Sequence, residues 1–141
     1  MIVYRPTDRI RIGFENKLVV VVSPLDQETR SRIAGMTRME GGEEVQDNIG
    51  MAIESLRYGV KDVEGLENVS FADGSPFKLE FEENGRALTH ETVDCLTQIF
   101  NSLKLGLIAL KMVSGLYDFE TISGVTMNPA GKVKKKVKRR G

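Results

Sequence analysis

Val93, Leu96, Phe100, Leu103, Leu107 and Leu110 recur at spacings of 3, 4, 3, 4 and 3. That rhythm places all six on one side of a helix, so any fold available to this chain must give that side something to rest against. The seam runs for about two and a half heptads, short of the three or four that indicate a coiled coil. Thr89 is placed to cap the helix and Ser114-Gly115 to end it. Ile99, Leu105, Ile108, Met112 and Val113 widen the apolar surface toward the C-terminal half. This half is therefore expected either to be wrapped by the domain or to dock on a partner.

Earlier segments carry a different period. Arg9 to Phe14 alternates charged and apolar side chains, the pattern of a strand with one buried face, and Lys17 to Val22 adds a run of β-branched valines. With a turn at Glu15-Asn16, residues 8–22 predict a β-hairpin. Ser23-Pro24-Leu25-Asp26 supplies a hydroxyl acceptor, a proline suited to the first helical position and an acidic group for the positive end. A surface helix is expected from there to about Met39, ended by Gly41-Gly42. Val45, Ile49, Ala52, Ile53 and Leu56 predict a second helix over 43–58 with Glu44, Asp47 and Glu54 off its apolar face. Gly59 caps it, and an extended segment begins at Val60. Asp73-Gly74 and Asn84-Gly85 are turn pairs, and Phe77, Leu79 and Phe81 alternate between them, predicting a meander or hairpin region over 60–88.

The whole reads as an α+β fold: an N-terminal β-hairpin, two helices, a short β-meander and a long C-terminal helix. It occupies residues 1–130 as a single domain, a size that permits one hydrophobic core. Residues 131–141 form a separate, basic tail expected to be disordered. That tail holds Lys132, Lys134, Lys135, Lys136, Lys138, Arg139 and Arg140, seven of the 20 basic residues and none of the 20 acidic ones. Thirteen basic residues then face 20 acidic ones in residues 1–130, so the formal net charge of zero conceals a body of −7 and a tail of +7. The tail's cations suit salt-dependent, sequence-independent contact with phosphates, but it has no interleaved aromatics to stack on bases. A solvated end of unspecific use is the competing reading.

Compartment follows from what is missing. A lone Cys95 makes no internal disulfide, and Met1 to Pro6 breaks into charge and proline where a signal peptide needs an apolar run. Leu105 to Tyr117 contains Lys111 and falls short of the roughly 20 apolar residues of a membrane span. A cytoplasmic protein without a membrane partner is expected.

Reactive groups do not assemble into a catalytic pattern. Cys95 and His90 lie five apart on one helix, roughly 140° around its axis, so they face different ways. One Cys and one His fall short of a zinc set, and the acidic groups at 40–44 and 80–83 lack the ligand spacing of a calcium loop. Glu43-Glu44 directly after Gly41-Gly42 would repel a phosphate there. No catalytic residue, cofactor or metal is expected, and the chain reads as a non-enzyme.

Tyr58-Gly59-Val60-Lys61-Asp62-Val63-Glu64-Gly65-Leu66, then Asp73-Gly74-Ser75-Pro76-Phe77, then Leu88-Thr89 opening a helix with Leu96 and Phe100, resembles the small tail assembly chaperones of long-tailed bacteriophages and prophages. The resemblance covers residues 56–105. It implies a non-catalytic protein in the bacterial host cell that binds the tape-measure protein and recruits tail-tube subunits. It also implies a shorter gene product ending near a ribosomal slippage site, and Lys132 to Lys136 is what an A-rich slippery stretch would encode. A holdase of this kind needs exposed apolar surface, for which Leu103, Leu107, Ile108, Leu110 and Met112 are the candidates, with ordinary core as the competing reading. A homo-oligomer through the last helix stays open. The basic tail is not something the resemblance demands. It leaves as alternative a small nucleic-acid-associated or head–tail connector phage protein, using Lys132, Lys134, Lys135, Lys136, Lys138, Arg139 and Arg140.

Overall fold

The computed structural model describes residues 2–15, 17–122 and 125–129. Within them the fold is mixed α+β, with four α-helices and two antiparallel sheets. Strands β1 (Ile10–Phe14) and β2 (Val19–Val22) pair antiparallel, with Ile10 opposite Val22 and Gly13 opposite Val19. Lys17 turns the chain between them at φ 68°, and its amide donates to the Phe14 carbonyl at 3.0 Å. Helix α1 (Gln27–Ala34) follows, then strands β3 (Thr37–Glu40) and β4 (Glu43–Gln46), helix α2 (Asn48–Gly59) and strand β5 (Val60–Glu64). Helices α3 (His90–Ile99) and α4 (Ser102–Ser114) come next, and strand β6 (Val125–Pro129) closes the described chain. The larger sheet has the order β5-β2-β1-β6, while β3 and β4 form a separate two-stranded ribbon.

The alternation in β1 decides which face of the sheet is buried. Ile10 and Ile12 point the same way, and their partners Val22 and Val20 share that face with Val60 and Val63 of β5. These six side chains join Leu56 of α2, Val93 and Leu96 of α3, and Leu105, Ile108 and Met112 of α4 in one core. Val21, on the opposite face, is also nearly sealed from solvent, as expected of a valine run covered on both sides.

Several sequence expectations are corrected. The first helix does not start at Ser23 or reach Met39. Asp26 is the N-cap, its carboxylate accepting from the Thr29 amide at 2.7 Å, and the helix stops at Ala34. Gly41 and Gly42 both adopt positive φ, 60° and 84°, which is the geometry of a tight hairpin turn, so the flanking residues pair as β3 and β4 where helix was expected. The second helix begins at Asn48, and its buried stripe is Met51, Ser55 and Leu56, with Glu54 and Arg57 drawn inside and Ile49 left outside.

Residues 66–88 form no regular meander. Two isolated bridges, Ser70 with Pro76 and Phe81 with Leu88, bracket the turns at Gly74 and Gly85, both of positive φ. The intervening amides find local acceptors, among them Glu82 N–H to the Ala87 carbonyl at 2.7 Å and Glu80 N–H to the Thr92 hydroxyl at 3.3 Å. The long C-terminal helix is two helices, broken at Phe100-Asn101, and among the described residues helical structure ends at Ser114 apart from a single 3₁₀ turn at Phe119–Thr121. The basic stretch 131–141 lies outside the described residues.

Candidate functional site

The break before α4 sets up its surface. Phe100 leaves α3 with extended backbone (ψ 161°), and its ring packs on Phe14 with centroids 4.6 Å apart. Asn101 then caps α4, its side-chain oxygen accepting from the amides of Leu103 at 3.0 Å and Lys104 at 3.2 Å. At the far end Gly115 takes the left-handed conformation (φ 78°) that closes the helix. Lys104 donates to Glu15 at 2.7 Å, tying the first turn of α4 to the β1–β2 connection.

The break also shifts the phase of the apolar seam. Val93, Leu96 and Phe100 are buried as the heptad rhythm predicts, but beyond Asn101 the buried set becomes Leu105, Ile108, Ala109 and Met112. At 100° per residue these lie roughly 140–240° from Leu103 around the axis, on the opposite side. Leu103, Leu107 and Leu110 are 72%, 42% and 40% exposed and, at i, i+4 and i+7, form one strip. Gly106 lies on the same strip with no heavy atom near its missing side chain, leaving a notch between the leucines.

Of the five residues proposed for protein binding, the structure therefore brings Leu103, Leu107 and Leu110 together on the surface. Ile108 and Met112 are fully buried, which corrects their assignment to that surface. The seven Lys and Arg residues of the tail lie outside the described residues.

A second apolar surface went unread in the sequence. Ile2, Val3, Leu25, Leu116 and Tyr117 line an open groove of about 760 Å³ at the C-terminal end of α4. Tyr4 meets Tyr117 edge-on at 6.3 Å, and the Tyr117 hydroxyl accepts from the Leu25 amide at 3.2 Å. Burial pushes both phenols above their ordinary range, so both remain neutral. Ile2, Val3 and Leu116 belong to no periodic run, so only their exposure in three dimensions marks them.

The titratable groups divide into structural pairs. Arg57, with its side chain 10% exposed, donates to both oxygens of Glu54 (12% exposed), to Glu82 and to the Leu88 carbonyl. His90 Nε2 lies 3.3 Å from the same Glu54 carboxylate. The sequence pattern places Glu54 off the apolar face of its helix, and the signal for this pair is its i, i+3 spacing from Arg57. Burial, then Glu91, Asp94 and Glu80, push the Cys95 thiol up, which disfavours the thiolate. Among the described residues no three His, Cys, Asp or Glu side chains are grouped to hold a metal ion, and no helix is long and apolar enough to cross a membrane.

No protein-family model matches the chain, and no curated protein or solved structure matches it either.

Proposed function

We propose that this chain is a non-catalytic tail assembly chaperone of phage or prophage type, holding a helical segment of the tape-measure protein on α4 while tail-tube subunits are recruited. The observation that carries this reading is the strip of Leu103, Leu107 and Leu110, three exposed leucines at helical spacing with a glycine notch among them. An amphipathic client helix buries its apolar stripe on such a strip, as in helix-in-groove recognition. The segments that carry the family resemblance fall on α2, β5, the Gly74 turn and the Thr89-capped start of α3.

Co-purification with a long, coiled-coil-rich product of a neighbouring gene, the tape-measure protein that this reading requires, tests it. Leu103→Glu with Leu107→Glu should abolish capture, whereas Ile49→Glu, an exposed apolar residue on α2, should leave it intact. Capture undiminished by the leucine changes would remove the proposal. Light scattering of the same variants decides whether the strip joins copies of the chain instead.

The tail's seven cations favour a second reading, nucleic-acid association. Retention on immobilised DNA, compared between the full chain and a chain stopped at Ala130, decides it: equal, negligible retention eliminates that reading.

A further inference from the structure

The groove at the C-terminal end of α4 joins an apolar surface to a negative charge. Ile2, Val3 and Leu116 line it while 60%, 79% and 60% exposed, so three large aliphatic side chains meet water side by side. Asp26, Asp118 and Glu120 line the same groove against one guanidinium, that of Arg30. Arg30 is already engaged: its Nη2 donates to Gln27 Oε1 at 2.7 Å, and its guanidinium lies so close over Gly115 that a side-chain carbon there would collide with it. Gly115 is the C-cap of α4, so this cation sits at the negative end of a helix. Asp26 stays ionised, because its bonds to Thr29 hold the carboxyl below its usual range.

The chain beyond Pro129 has the complementary character and sets out from beside this groove. Strand β6 lies against the 3₁₀ turn Phe119–Thr121 that carries Glu120. Its last residue, Pro129, pairs with Ile10, six residues on from Tyr4 in the groove wall. Residues 130–141 hold seven cations, no acidic side chain and two branched apolar residues, Val133 and Val137, each flanked by lysines. Fully extended, twelve residues span at most about 40 Å, against a radius of gyration of about 14 Å for a domain of this size, so the groove is within reach. Single lysine–carboxylate contacts at a surface are weak, but a tethered segment meets its site at an effective concentration on the order of millimolar.

We infer that segment 131–141 of this chain docks in the groove of its own copy, Val133 and Val137 resting on Ile2, Val3 and Leu116 while the flanking lysines meet Asp118 and Glu120. Docked there, the segment covers the second apolar surface of the fold and sets its +7 against the body's −7. The site shares no residue with the leucine strip on α4, so the chaperone reading stands or falls separately.

The test is paramagnetic broadening of amide signals in the full chain, with a nitroxide on Gly141→Cys in a Cys95→Ser background. At low salt the signals of Val3, Leu25, Leu116 and Glu120 should lose most of their intensity. Sodium chloride at about 1 M, where charges are screened within about 3 Å, should restore most of it. Val133→Ser with Val137→Ser should also restore it, although the charge of the segment is unchanged. Leu116→Ser with Glu120→Gln should do the same, whereas Glu83→Gln, which removes an exposed carboxylate outside the groove, should not. In the unlabelled full chain with Cys95 intact, trypsin should cut within 132–140 faster once Leu116→Ser and Glu120→Gln are introduced. Broadening spread evenly over the body, or unchanged by the valine substitutions, overturns the proposal. So does broadening found only between copies, when labelled chain without isotope is mixed with isotope-enriched chain without label.

Discussion

Gly59, the last residue of α2, lies directly against the thioether of Met112 in α4: a side-chain carbon added at Gly59 would collide with the Met112 methyl and crowd its sulfur. The two helices approach closely here because one of them has no side chain, and Met112 is fully buried in the space this leaves. A glycine that looked like a helix cap in the sequence is thus also a packing contact between elements 53 residues apart.

Gly59→Ala forces the Met112 methyl, the far end of a flexible side chain, to swing aside, and with alanine's better helix propensity acting the other way it should change stability by no more than about 1 kcal/mol. Met112→Ala alone should cost about 2–5 kcal/mol through the cavity it leaves. Combined, the two should cost less than their sum, because the alanine methyl enters the vacated space. Urea denaturation of the four proteins gives the coupling directly, and strict additivity would mean the contact is not made.

Glu54→Ala should cost about 3 kcal/mol, since it leaves the Arg57 guanidinium buried with only the half-exposed Glu82 as counter-charge. Replacing both residues, as Glu54→Leu with Arg57→Met, should recover much of that loss because no unpaired charge remains inside. Chemical denaturation would contradict this if the double variant were weaker than Glu54→Ala alone.

The two sides of α4 should respond oppositely to truncation. Ile108→Ala should lose about 2–5 kcal/mol, whereas Leu103→Ala should change stability by no more than about 0.5 kcal/mol, as for a surface substitution. Leu107→Ala and Leu110→Ala, being partly covered, should fall between. A large loss at Leu103 would show that its side chain belongs to the core.

Asp26 gives a pH-dependent contribution whose sign is fixed by its cap. The Thr29 amide, then the Thr29 hydroxyl, hold its carboxyl below the usual carboxylate value. A depressed carboxyl stabilises the fold fully above its unfolded value of about 3.9 and progressively less as pH falls through the native one. Asp26→Ala should therefore cost about 1 kcal/mol near neutral pH and less below pH 3.9 or so. Asp26→Asn, a cap without the charge, should show no such dependence. Denaturation midpoints at both pH values check it, and a penalty that grows on acidification would contradict the assignment.

Much of the local structure was legible because it rests on short-range chemistry. The alternation at Arg9 to Phe14 and the valine run fall on β1 and β2, and Thr89 and Gly115 bound the helical stretch where a capping hydroxyl and a left-handed glycine are needed. Asp73-Gly74 and Asn84-Gly85 are turns for the same reason. Gly41-Gly42 was read as a helix stop, although two successive glycines serve a hairpin turn equally well. Deciding between the two required knowing that Thr37–Glu40 and Glu43–Gln46 pair with each other.

For the candidate site, the residues themselves determined that α4 would be helical and apolar on more than one side. Periodicity states which residues share a face of a continuous helix, and it loses its reference wherever the helix is interrupted. Only the tertiary structure decided that the chain breaks at Phe100-Asn101, where Phe100 turns to pack on Phe14 from a strand 86 residues earlier. That single long-range contact accompanies a new phase, sending Leu105, Ile108 and Met112 inward and leaving Leu103, Leu107 and Leu110 outside. Glu54 was hidden for the same physical reason: whether a charge is buried or solvated depends on neighbours that are distant in sequence and adjacent only in space, here His90 beside the Glu54–Arg57 pair.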